Sequence, residues 1–234
     1  MKQEFRQGLK DGIPIALGYF SVSFSFGILA LAGGLSIFQA GLTSITNLTS
    51  AGQFAGLQVI IAGGTLLEMV MTQFIINLRY ALMSLSLSQK LSPEMAFWQK
   101  LIVAFGNTDE IFAVAMGRQK SLTFPYMVGL QILPIIGWTL GTVVGAAAGS
   151  ILPAAVNSAL SVALYGMFIA IVIPAAKKAR PVLIVVLLAM VMSGILYYVP
   201  VFSGISSGMS IIICTVAASV LGAALFPVKE EGEA

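Results

Sequence analysis

The chain has 234 residues, 58% of them hydrophobic and only 9% charged, with a mean hydropathy of +0.99 and a net charge of +3. A soluble domain carries about a quarter charged residues, so this composition excludes a water-facing globule. The absence of histidine removes imidazole zinc sites and serine–histidine catalysis.

Apolar runs of about twenty residues, each long enough to cross a hydrocarbon core of about 30 Å as a helix, recur along the chain. They are Ile13–Ala32, Pro125–Ala148, Pro153–Ala176, Val182–Val199 and Met209–Phe226. The first is preceded by Lys2, Arg6 and Lys10 and ends in Ala30-Leu31-Ala32, which resembles a signal peptide with its cleavage site. It is read as a retained first helix, because it carries Ser21, Ser23 and Ser25 and further membrane segments follow. The one cysteine, Cys214, lies in an apolar run and reads as a small packed hydrophobe.

Basic residues cluster at Lys2–Lys10, Lys90–Lys120, Lys177–Arg180 and Lys229, whereas the turns near Gly33–Ser36, Gly149–Pro153 and Pro200–Ser207 have none. Positive loops stay cytoplasmic, which puts the N-terminus and the acidic tail "KEEGEA" inside. The chain must then return between Ile37 and Leu87, about fifty residues, long for one crossing and tight for three. A broken or re-entrant helix resolves this, and non-helical backbone is tolerated at membrane depth where it is buried in protein or lines a cavity. The uncharged polar run "NLTSAGQ", Asn47–Gln53, falls where the break belongs. A second interrupted segment, "LIVAFGNTDEIFAVAM" (Leu101–Met116), has Lys100 and Arg118 at its ends and is expected to be re-entrant or interfacial. From Pro125 onward four ordinary crossings are expected. Gly27–Ser44 and Gly141–Leu160 share a faint pattern of small residues, serine and a short apolar piece, which leaves an inverted repeat open.

Charges within membrane segments face a partner or a cavity, and Glu68, Arg79, Asp109 and Glu110 fall in this class. Glu68, Thr72 and Arg79 share a helix face, but Glu68 and Arg79 stand roughly 16 Å apart along it and cannot pair. Arg79 either marks the cytoplasmic end of its helix or meets Asp109 or Glu110; its forked donors suit a carboxylate of protein or solute. The run Asn47–Gln53 has two readings as well. Its hydroxyls bond back to helix carbonyls while Gly52 permits close packing, or Thr49 and Ser50 precede a half-helix starting near Gly52 whose N–H groups bind an anion without formal charge. Asn47-Leu48-Thr49 matches a glycosylation acceptor but sits inside a membrane segment. "GISSG" (Gly204–Gly208) matches G-x-S-x-G without a histidine to activate Ser206, and Asp11 and Asp109 are the only aspartates available to an intramembrane protease.

Three segments together resemble the AzlC family of branched-chain amino acid export permeases: "GLKDGIPIALGYFSVSFSFGILA", then "TSAGQFAG" followed by "NLRYALMSLSL", then "FGNTDEIFAVA". That family typically shows an Ala-Gly-x-Gln-like element, an Asn-Leu-Arg-His element and a Thr-Asp-Glu element, whose order and spacing agree here, and the resemblance is strongest over residues 8–118. Gly52 and Gln53 match the first, Asn77 and Arg79 the second, and Thr108, Asp109 and Glu110 the third. Tyr80 stands where that family usually has histidine, so proton coupling through this position would need a carboxylate or be absent. The resemblance implies the large subunit of a two-component exporter of branched-chain amino acids, working with a small AzlD-type membrane protein.

The expectation is therefore an all-α polytopic bundle of about 6–8 membrane segments, including broken or re-entrant helices. It is one integral membrane transporter domain over residues 1–234, without cofactor or enzymatic activity, in the bacterial cytoplasmic membrane. Solute binding is assigned to Asn47, Thr49, Ser50, Gly52, Gln53, Asn77 and Arg79, and coupling or ion pairing to Glu68, Thr108, Asp109 and Glu110. A structural or assembly subunit, or an exporter of another small metabolite, is the alternative.

Overall fold

The computed structural model describes residues 2–151 and 179–227, with positions 169, 172, 173, 176 and 177 between them. Its described residues form nine α-helices: α1 (Lys2–Ala32), α2 (Ile37–Thr46), α3 (Ala51–Ile61), α4 (Leu66–Ser88), α5 (Phe97–Phe105), α6 (Asp109–Gly117), α7 (Phe124–Ile151), α8 (Arg180–Tyr198) and α9 (Ser207–Leu225). Among them are no strands beyond one isolated bridge between Leu91 and Leu122. Five helices, α1, α4, α7, α8 and α9, are long and apolar enough to cross a membrane. The chain is thus a polytopic helical membrane protein. The crossing expected over Pro153–Ala176 and the second half of the Gly141–Leu160 pattern lie largely outside the described residues.

Contacts divide the chain into two compact units, Met1–Phe54 with Asn77–Leu164, and Ala55–Ile76 with Tyr165–Ala234. The first is organised by the parallel pair α1 and α7. Gly137, Gly141 and Gly145, each one helical turn from the next, lie against the backbone of Ala16, Phe20 and Phe24 on α1. With no Cβ in the way, the two backbones approach directly, which is how membrane helices gain packing where lipid supplies no hydrophobic drive. On the other side of the seam, Gly27 abuts Thr142 and Gly12 abuts Leu130.

Beside this pair the first unit holds α2 with the first residues of α3, the second half of α4, and the short helices α5 and α6. The segment α2–α3 breaks at Asn47–Ser50, and Gln53 on α3 lies beside Ser44 on α2, 2.5 Å between Nε2 and Oγ, so the chain doubles back. The segment α5–α6 breaks at Gly106–Thr108. Its two outer ends are pinned together: the Ser92 N–H donates to the Leu122 carbonyl (2.9 Å), the Leu122 N–H to Lys90 (3.0 Å), and Lys90 Nζ to Met116 (2.6 Å). Trp98 packs edge-on against Phe124 at the same end. Both interrupted segments are hairpins of half-helices. The second spans Phe97–Gly117, wider than the Leu101–Met116 read from the sequence.

The hairpins come from opposite ends. The base of α5–α6 sits beside the start of α1, where Arg118 pairs with Glu4 at 2.7 Å and stacks over Tyr126 at 3.8 Å. The base of α2 follows the far end of α1 through a tight turn with Gly34 at φ 91°, and its first turn closes in a capping box between Ser36 and Gln39.

In the second unit α8 packs on α9, where Gly222 meets Val185. The first turn of α4 meets the start of α9 in the same unit.

Candidate functional site

The tips of the two hairpins border one cavity of about 220 Å³, lined by Thr46, Asn47, Leu48, Thr49, Tyr80, Ala104, Phe105 and Asn107. Four half-helix ends converge here: the C-termini of α2 and α5 and the N-termini of α3 and α6. Helix N-termini carry partial positive charge and C-termini partial negative charge. The start of α6 bears Asp109 and Glu110, which offset its dipole, whereas the first turn of α3 has no acid. The positive end left uncompensated is that of α3. An apolar wall comes from Leu48, Ala104 and Phe105, and polar atoms from Asn47, Thr49, Tyr80 and Asn107.

Each tip is fixed by polar contacts. In the first, the Thr49 hydroxyl donates to Asn47 Oδ1 (2.5 Å) and the Gly52 N–H to the Thr49 carbonyl (3.3 Å). Ser50 adopts φ 49°, a left-handed conformation that a residue with a Cβ adopts only when its surroundings impose it. Gly52 is pressed between Thr49 and the Asn77 side chain, and a Cβ there would fall 2.5 Å from the Thr49 hydroxyl. In the second tip, the Asn107 amide donates to Ser84 Oγ (3.2 Å), and Gln131 on α7 donates to the Val103 carbonyl (2.7 Å). That bond satisfies one of the carbonyls that the end of α5 would otherwise leave bare in an apolar interior.

Arg79 lies in the middle of α4, not at an end of it, and pairs with Asp109. Its Nη2 also donates to the Tyr80 hydroxyl (3.2 Å), which in turn donates to the Thr49 carbonyl (3.4 Å). Glu110 takes a different partner, the phenol of Tyr19 on α1, and the same phenol lies 2.6 Å from Thr108 Oγ1. A phenol has one hydrogen, so with Tyr19 donating to Glu110 the Thr108 hydroxyl must donate to Tyr19.

Of the sequence-assigned residues, Asn47 and Thr49 line the cavity, whereas Gln53 and Glu68 have settings of their own. Gln53 is 1% exposed, and its amide is consumed internally: Nε2 donates to Ser44 Oγ, while Oε1 accepts from Trp138 Nε1 at 2.8 Å. Ser44 Oγ is also 2.7 Å from Thr142 Oγ1. Glu68 belongs to the second unit, where its Oε1 accepts from Ser206 Oγ (2.5 Å) and the Gly208 N–H (2.9 Å). Ser206 is also the N-cap of α9. The structure therefore groups Asn47, Thr49, Ser50, Gly52, Asn77 and Arg79 with Thr108, Asp109 and Glu110, and gives Gln53 and Glu68 their own settings.

Sequence reasoning missed Tyr19, Ser44, Asn107, Gln131, Trp138 and Thr142. Asn107 stood inside the quoted "GNTDE" and could have been found as a polar residue at a break. Tyr19, Gln131, Trp138 and Thr142 are scattered polar groups on long membrane helices and Ser44 sits on the short α2, and nothing local distinguishes them.

An uncharacterized membrane protein of Archaeoglobus fulgidus is 34% identical to this chain over 138 residues, 59% of each chain. The inner membrane protein YgaZ of Escherichia coli is 28% identical over 142 residues, 59% of this chain and 58% of the relative. An uncharacterized membrane protein of Helicobacter pylori is 28% identical over 115 residues, 47% and 50% of the two chains. The matched stretch thus spans between half and three-fifths of each curated relative. No solved structure matches. The model of the AzlC protein family matches residues 14–152, which contain both hairpins and most of the α1–α7 seam, and the chain belongs to that family.

Proposed function

We propose that this protein is a membrane transport subunit that exports branched-chain amino acids, with its solute site in the cavity between the two hairpin tips. The observation that carries the reading is the meeting of two opposed broken helices around 220 Å³ of polar and apolar lining. That volume equals roughly seven waters at about 30 Å³ each, the scale of a single small amino acid. Broken helices converging on one site are a recurrent way of binding solutes in secondary transporters.

The ligand chemistry follows from the lining. A zwitterion has a carboxylate for the uncompensated N-terminus of α3 and an ammonium for carbonyls at the ends of α2 and α5. Its apolar side chain has Leu48, Ala104 and Phe105 to rest on. Arg79 stands one hydrogen bond behind the cavity wall, through Tyr80. The same reading places the basic end of the first unit in the cytoplasm of a bacterial inner membrane, N-terminus inside, and includes a small AzlD-type partner. Residues 1–234 act as one transporter domain, coupled to an ion or proton gradient.

The test is export of labelled leucine from proteoliposomes holding the wild type, Asn47→Ala or Arg79→Ala. Loss of transport in both variants at equal incorporation is expected. Undiminished transport in both removes the cavity from consideration as the solute site.

A further inference from the structure

Four residues from three separate elements form one unbroken polar line across the cavity. The Thr49 carbonyl, in the tip of the first hairpin, accepts from the Tyr80 hydroxyl. Tyr80 accepts from Arg79, and Arg79 pairs with Asp109 at the tip of the second hairpin. Thr49 and Tyr80 both line the cavity, and Tyr80 is the lining residue that α4 contributes. Arg79 further lies over the Tyr80 ring, 4.8 Å from its centroid, so ring and hydroxyl both hold the guanidinium.

The residue next to Thr49 shows that the tip is held under constraint. Ser50 at φ 49° keeps a conformation that costs on the order of 1–3 kcal/mol unless the surroundings enforce it. Within the tip, the Thr49–Asn47 and Gly52–Thr49 bonds are local and would follow the loop wherever it moved. The Tyr80 bond ties the loop to a different helix. It fixes where the tip stands relative to α4 and, through Arg79, relative to α6.

We propose that Tyr80 is a positioning residue, the centre of a strap that runs from Thr49 through Tyr80 and Arg79 to Asp109 and holds the two hairpin tips closed over the cavity. The strap opens by parting the Tyr80–Thr49 bond, because that contact is the longest in the line and the only one made to a neutral backbone carbonyl. Breaking the Arg79–Asp109 contact would instead separate two charges at membrane depth, a far costlier event. The solute leaves when the first tip swings from α4, with Arg79 and Asp109 remaining paired behind it. This gating role rests on the transport reading; the strap itself does not.

Two measurements separate the strap from its role. The first is amide hydrogen exchange of the peptide covering Leu48–Gln53 in the purified, detergent-solubilised protein. Tyr80→Phe keeps the ring over Arg79 and removes only the hydroxyl, so exchange in that peptide rises about fivefold, the weight of one net hydrogen bond, while exchange along α7 is unchanged. Asp109→Asn weakens the far end of the same strap and raises exchange at the same peptide, and the double variant is no faster than the faster single one. Wild-type exchange in the tip of Tyr80→Phe, or strictly additive effects in the double variant, overturns the strap. Should Tyr80→Phe fail to fold, Asp109→Asn alone decides: unchanged exchange at the tip, where Thr49 is sixty residues from Asp109 in the chain, overturns it too. The second measurement is leucine transport, in which Tyr80→Phe raises KM more than it alters the maximal rate, because the closed cavity is less well formed. A faster tip with unaltered transport kinetics refutes the gating role alone. A wild type that moves no leucine refutes the transport reading and leaves the exchange result to judge the strap.

Discussion

Replacing Gln53 by leucine separates a ligand-binding side chain from a structural one. The substitution removes the bonds to Ser44 and Trp138 while keeping a similar volume. Hydrogen bonds between membrane helices average about 0.6 kcal/mol each, so the two together are worth roughly 1 kcal/mol. The larger effect is what stays behind. Trp138 is 2% exposed and its indole N–H has no other acceptor among the described hydrogen bonds, so it is left bare in an apolar interior, at about 1–3 kcal/mol. Ser44 keeps Thr142 as a partner and adds little. The sum is a loss of roughly 2–4 kcal/mol. Thermal unfolding in detergent measures it, and a cycle with Trp138→Phe sharpens it: with the indole N–H gone, Gln53→Leu should cost clearly less, a coupling of about 0.5–3 kcal/mol. Wild-type stability in Gln53→Leu, or additive losses in the cycle, would refute the network. A transport defect in Gln53→Leu that persists at unchanged stability would return Gln53 to the solute site.

Three further outcomes follow from particular contacts. Gly145→Leu forces a side chain into the Phe24 backbone and should destabilise the α1–α7 pair by about 1–3 kcal/mol or more, whereas Gly18→Leu, with nothing near its Cβ position, should be tolerated; melting temperatures of the two variants check this. Ser50→Gly relieves the positive φ and should raise the melting temperature slightly, by up to about 1 kcal/mol of stability; a fall in stability would mean the conformation is not strained. Ser206→Ala removes the cap of α9, about 1 kcal/mol, together with one donor to Glu68, and Ser206→Thr should restore most of the lost stability because it keeps the hydroxyl.

The membrane class, the long spans and the two breaks are decided within short windows of sequence, because hydropathy over about twenty residues is a local property. The uncharged run Asn47–Gln53 marks the first break and "GNTDE" the second, since groups that compete with helix hydrogen bonds are written directly into those stretches. The family is legible in the same windows, through the residues flanking both breaks. The resemblance does not extend to how those residues are used. Gln53 sits in a matched motif, yet its partners Trp138 and Ser44 lie 85 and 9 positions away, and nothing near the first of these on its long helix marks it as a partner. Helical spacing separates Glu68 from Arg79 but cannot supply Ser206, 138 positions on, as the donor that meets it. Nor can it choose between Asp109 and Glu110 for Arg79: adjacent residues on a helix point about 100° apart, and only the placement of α1 turns Glu110 toward Tyr19 and leaves Asp109 for Arg79. That both breaks are hairpins, entering from opposite ends with their tips on one cavity, is likewise a tertiary fact. It depends on the glycine seam between α1 and α7, whose close approach sets where everything else in the first unit can pack.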